Sequence, residues 1–155
     1  MGRSAEALRQ MLEDYFRVPV EIRQFTGAWE RLPPTQQTFL KGTAAFSECL
    51  GAGTVVGDEV WNQQGAMTIR LGPMSLQQYR QFLPGERGQK ELKAWLTFYS
   101  RRQFDFVVQL VLARDEVPHT VLTTENNENP RLGYESWLKV KSLQRDPDET
   151  TYVLH

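Results

Sequence analysis

The sequence predicts an α+β domain: a small, largely antiparallel sheet packed by two or three helices, with one long projecting loop. Three observations carry this. Apolar residues recur at helical spacing in some segments and alternate with polar residues in others. The two kinds of segment do not take regular turns, as a βαβ series would. Between the first strand and the next regular segment, residues 29–57 show no period at all. The 155 residues suit one domain, 1–155, with its own core.

The first helix is expected over residues 4–16. Leu8, Met11, Leu12, Tyr15 and Phe16 fall on one face, Ser4 can cap it, and Glu6 suits its positive end. Val18, Val20 and Ile22 alternate with Pro19, Glu21 and Arg23, which predicts a half-buried strand at an edge or strand end, because proline cannot donate to a ladder. The long aperiodic segment holds Trp29, Leu32, Pro33, Pro34, Phe39, Leu40, Phe46 and Leu50, with a short helical turn expected near residues 36–41. So many apolar groups are costly to leave in water. The composition fits equally a loop that folds back over its own core and a loop that inserts into a partner.

Residues 57–71 read as a hairpin turning near Asn62 to Gly65, with Met67, Ile69 and Leu71 facing one way. Gly72-Pro73 stops that strand, Ser75 with Gln78 forms a capping-box pattern, and Pro84-Gly85 ends the short helix between them. Its stripe is Leu76, Tyr79, Phe82 and Leu83. A second long helix over residues 89–102 buries Leu92, Trp95, Leu96 and Tyr99 and ends on Arg101 and Arg102. In FDFVVQLVLAR both faces are apolar (Phe104, Phe106, Val108, Leu110 and Leu112 against Val107 and Val111), so this strand is expected at the sheet centre. A turn at Pro118 into another strand, and final strands over 131–140 and 150–155, complete the reading.

Composition excludes several functions. At 40% hydrophobic and 24% charged the chain is that of a globular protein, and a net charge of -1 gives no general pull toward nucleic acid or an anionic membrane. No run of about 18 apolar residues is present, so no direct membrane insertion is expected. Cys49 stands alone, so no disulfide forms within the chain. Cys49, His119 and His155 have no zinc-ligand spacing, and a Cys49–His119 nucleophile pair is weaker than the reading of Cys49 as a small buried apolar residue. GAGTVVG lacks the features of a phosphate loop. Arg87, Lys90, Lys93, Arg101 and Arg102 are interrupted by Glu86 and Glu91, which suits a solvated helix face. No metal or cofactor site is expected. A hydrolase built on Asp58, Glu59, Asp115 or Glu116 is the enzymatic alternative, although turn chemistry explains both acidic pairs better. A third reading is a module that captures a peptide strand on its sheet edge.

The run VVGDEVWNQQGAMTIRLGPMSLQQYRQFLPG resembles the TssG (ImpH/VasB) family of type VI secretion baseplate subunits, whose second half commonly reads "LG..V....G.f.lrlGPLsl..Y..FLPG". SAEALRQMLEDYFRVPVEIRQFTGAWERLPP, FDFVVQLVLARDEVP and PRLGYESWL resemble it too, in order along nearly the whole chain. Met74 stands where Leu is usual and Met67 where an aromatic residue is frequent. The abrupt Met1-Gly2 start fits the C-terminal portion of a longer subunit. The resemblance implies a phage tail-like wedge scaffold without catalysis or cofactor. Its partners would be a TssF dimer, a TssK trimer and other baseplate subunits such as TssE. It would be cytoplasmic, at the inner-membrane-docked baseplate of a Gram-negative bacterium. It also implies that the loop at 29–56 is a TssK-binding extension anchored by Trp29, Leu32, Pro33, Pro34, Phe39, Leu40, Phe46 and Leu50. Arg70 and Arg80, unexplained by the local fold, are candidates for docking a neighbouring subunit.

Overall fold

The computed structural model describes residues 4–39, 48–49, 51, 53–101, 105–118, 131, 133–137 and 143–154. Helix α1 (Ala5–Phe16) begins where the Ser4 hydroxyl accepts from the Ala7 N–H at 3.2 Å, and it ends at Arg17, which turns left-handed (φ 56°) and donates its N–H to the Glu13 carbonyl. Leu8 and Leu12 are buried; Tyr15, expected on the same face, is half exposed.

The main sheet has the order β1 (Val20–Arg23), β4 (Ala66–Met74), β5 (Asp105–Leu112), β6 (Thr150–Leu154). The outer pairs β1–β4 and β5–β6 are antiparallel, as expected, but the central pair β4–β5 is parallel. Parallel neighbours need a long crossover, and α2 (Leu76–Gln81) with α3 (Arg87–Ser100) supplies it. The β5 strand is central and Val20 opens an edge strand, so both placements agree with the sequence. The core is Leu8 and Leu12 of α1, Val18, Val20, Ile69, Leu71, Phe106, Val108, Leu110 and Leu112 of the sheet side, and Tyr79, Phe82, Leu83, Leu92 and Leu96 of the crossover.

At the joint between β4 and α2 the strand does not stop at Gly72-Pro73, as the sequence suggested, but runs on to Met74, which pairs with Leu112. Gly72 has φ 121°, and a Cβ there would lie 2.2 Å from the Val111 carbonyl oxygen, so only glycine lets β4 lie this close to β5. The β4–β5 register shifts between Leu71 and Met74, at that point. Ser75 and Gln78 form the capping box on α2. Tyr79 is buried; its hydroxyl donates to the Tyr134 carbonyl (2.6 Å) and lies 2.7 Å from the Thr150 hydroxyl. The Tyr152 hydroxyl on β6 donates to the Phe82 carbonyl at 2.7 Å. Burial raises both tyrosine pKa values.

Three further expectations are corrected. The turn at Asn62 to Gly65 is present, with the Gly65 N–H on the Asn62 carbonyl, but it does not close a hairpin. The strand before it, β3 (Glu59–Asn62), leaves the main sheet and pairs antiparallel with β2 (Ala28–Arg31) in a separate two-stranded ribbon. Turn chemistry was legible, but the partner strand lies upstream across residues 32–58, and no local period reports that. Residues 133–135 form a turn and 136–137 have no regular structure, where a strand was expected. Residues 34–36 form a turn, and no helix occurs over residues 36–39; residues 40–41 lie outside the described residues, as do Phe104, Arg102, His119, His155 and the strand expected after Pro118.

Candidate partner-docking surface

The long segment starts as a strand, not as a loop. Residues 24–27 leave β1 through two left-handed positions, Phe25 (φ 58°) and Gly27 (φ 72°), and the Thr26 N–H and hydroxyl both reach the Ala66 carbonyl. From there β2 and β3 form an arm whose ladder continues one step past Arg31, with the Leu32 N–H on the Asp58 carbonyl at 2.8 Å. Within the loop at its end, Gln37 donates to the Leu32 carbonyl and the Val55 N–H donates to Thr38 Oγ1.

Trp29 and Trp61 face each other across the ribbon, rings edge to face with centroids 5.5 Å apart. Both remain open to solvent, Trp29 at 65% and Trp61 at 47%. Trp61 is nevertheless held. Its ring lies against Gly27, where a Cβ would come within 2.0 Å of Cζ2. Its Nε1 donates to Gln63 Oε1, and Gln63 Nε2 donates in turn to the Phe25 carbonyl. Phe25, Val60 and Val56 are also exposed. Around them Arg31 pairs with Asp58 at 3.7 Å, and Asn62 donates to Glu30.

Of the residues expected to anchor a partner, Trp29 is on β2, Leu32 is half-buried, and Pro33, Pro34 and Phe39 are exposed. Leu40, Phe46 and Leu50 lie outside the described residues. The sequence reading missed Phe25, Val60 and Trp61. The available signal was pairing chemistry: WER and EVW carry matching aromatics and opposite charges once aligned antiparallel, Trp29 with Trp61 and Arg31 with Glu59.

Arg70 and Arg80 have partners within the chain. Arg70 ties β1 to the segment before β6 through Glu21 (3.4 Å) and Asp148 (3.5 Å), while its buried Nε has no hydrogen-bond partner. Arg80 contacts the nearly buried Glu135 at 2.6 Å and is itself largely exposed. Hydrogen bonding from Arg23 foremost, then from Arg70, holds the Glu21 carboxyl below its ordinary pKa.

The acidic pairs stand apart in the chain's architecture. Asp58 and Glu59 are on the arm, Asp115 and Glu116 in a turn after β5, and all four are exposed. A cavity of about 400 Å³ lies between the start of α1, the end of α3 and the arm's root, lined by Ala5, Leu8, Phe25, Met67, Tyr99 and Phe106 among others, and none of the four carboxylates lines it. Cys49 is exposed rather than buried. No group of three metal-ligating side chains occurs among the described residues. The peptide-edge reading meets an obstacle at β1, where the Glu13 carboxylate accepts the Val20 N–H at 3.0 Å. A second apolar face joins α1 and α3: Tyr15 packs edge-on against Trp95 (5.2 Å) beside Phe98, which is 71% exposed.

A family model described as "Type VI secretion, TssG" matches residues 1–139. Two solved structures share the fold. One is a chain of the type VI secretion system TssK-TssF-TssG baseplate subcomplex determined by cryo-electron microscopy, at 18% identity and TM-score 0.66, covering 97% of this chain and 63% of that one. The other belongs to the baseplate complex from the type VI secretion system, at 22% identity and TM-score 0.58, covering 98% of this chain and 42% of that one. This chain therefore spans less than two thirds of either. No curated protein matches it.

Proposed function

The chain belongs to the TssG family of type VI secretion, and on that premise we propose that it is a structural component of the baseplate wedge, bridging TssF to TssK, with no catalytic role. The single observation that carries this reading is the arm: an ordered ribbon, rooted in the sheet, that holds large aromatic side chains out in solvent where the fold has no use for them. TssK is the proposed partner of the arm and its loop, through Trp29, Leu32, Pro33, Pro34, Phe39, Leu40, Phe46 and Leu50. TssF docks on the αβ body, where exposed Arg80 and partly exposed Arg70 lie, each paired with a carboxylate of its own chain. The assembly would stand on the cytoplasmic side at the docked baseplate, with TssE among its neighbours.

Replacing residues 34–55 with a short Gly-Ser linker tests the loop directly. The variant should keep its helical circular dichroism and thermal midpoint yet fail to recover TssK in a pull-down, while TssF is still recovered. Normal recovery of TssK would remove the loop from the proposal.

A further inference from the structure

Resting on the reading that the arm meets a protein partner, we infer that the stem of the arm is an anchor in its own right, beside any contribution of the loop tip. The anchor is the indole pair Trp29 and Trp61, seated in an apolar slot of the partner rimmed by Lys or Arg. Exposed aromatic side chains are common, but exposed ones that are already fixed are not. Trp61 is fixed on two sides, by the Gly27 backbone under its ring and by the Trp61–Gln63–Phe25 chain of hydrogen bonds at its nitrogen. Trp29 stacks edge-on against it from the opposite strand. A side chain ordered before binding loses little rotamer freedom on binding, so its buried area converts to affinity more fully than that of a side chain ordered only by the partner. Trp is also the residue type most enriched among binding hot spots.

The charge of the arm as a whole defines the rim it fits. On the arm as a whole three carboxylates, Glu30, Asp58 and Glu59, stand against one guanidinium, Arg31, a local charge of -2, with Glu59 and Arg31 on the face of the indoles and Glu30 on the other. Asp58 and Glu30 each keep exposed carboxylate beyond the contacts they make within the arm. A partner with basic residues around an apolar floor satisfies these acids and can also place a cation on the open Trp29 face. The arm's root explains why the lock exists. Phe25 and Gly27 are both left-handed, which turns the chain out of the main sheet and brings Gly27 under the ring.

The test uses the full chain and purified TssK of the same secretion system, with the dissociation constant measured by calorimetry at two salt concentrations. Trp29→Ala and Trp61→Ala should each weaken binding about 30-fold or more, the hot-spot range. Gly27→Ala, which keeps both indoles but drives a methyl into the Trp61 ring, should weaken it as well. Glu30→Lys with Glu59→Lys should weaken binding and flatten its salt dependence. Trp29 lies outside the lock, so its variant keeps the test open even where Trp61→Ala loosens the arm. If both tryptophan variants bind within about 3-fold of the parent while replacement of residues 34–55 abolishes binding, the stem assignment falls and the loop reading stands. If the tryptophan variants fail and the loop replacement binds normally, the stem assignment holds and the loop anchors fall. If both classes lose binding, both hold; if neither does, both fall.

Discussion

The β4–α2 joint and the β2–β3 arm use similar side chains to opposite ends. At the joint Tyr79 and Phe82 are buried, and hydroxyl groups reach carbonyls across elements far apart in sequence. In the arm Trp61 is as well located by its neighbours and Trp29 packs edge-on against it, yet both are left in water. Each region also rests on one left-handed glycine pressed against a neighbour: Gly72 against the Val111 backbone, Gly27 against the Trp61 ring. A glycine that admits backbone builds a core, and a glycine that admits an exposed ring displays that ring. Precise placement is thus common to both regions, and only the direction in which the aromatic surface faces separates architecture from recognition.

Stability measurements should divide along the same line. The largest loss is expected from Leu96→Ala, which empties a fully buried site where α3 meets the sheet; urea denaturation should show a cost of about 2–5 kcal/mol. Alkaline pH should act next, and on the body alone. Burial holds the Tyr79 and Tyr152 hydroxyls above the unfolded tyrosine pKa of about 10. The folded state therefore keeps these protons longer than the unfolded chain. Their contribution is whole below about pH 10 and falls away as the pH rises beyond it, a loss that Tyr152→Phe should reduce in pH-dependent melts. Ser75→Ala should cost about 1 kcal/mol through the lost cap of α2. Trp29→Ala should change stability least, by about 1 kcal/mol or less, since it removes one edge-to-face contact and little buried surface. A large loss from Trp29→Ala would mean that the ribbon belongs to the core, and the contrast drawn here would fail.

How much of this was legible in the sequence depended on the range of the interactions. The caps at Ser4 and Ser75 and most positions of the three helix stripes follow from residues a few positions apart and appear as expected, although Tyr15 is half exposed and β4 runs on through Gly72-Pro73 to Met74. The central place of β5 was legible because both of its faces are apolar. The parallel β4–β5 pairing and the β2–β3 ribbon were not, since each joins segments separated by dozens of residues and periodicity carries no record of the partner. The exposed apolar surface was sensed from Trp29 to Phe39, but half of the aromatic pair, Trp61, was assigned to a hairpin with β4 that does not form. Arg70 and Arg80 looked unemployed in one dimension; Glu21, Asp148 and Glu135 occupy them in three.

Hydrogen–deuterium exchange of the full chain with and without TssK tests the central claim most directly, because it reads the arm and the body in one experiment. The account predicts slowed exchange over residues 28–31 and 59–62, with the amides of α1 and α3 unchanged. Protection confined to the Tyr15, Trp95 and Phe98 face of α1 and α3, with the arm exchanging as in the free chain, would contradict it.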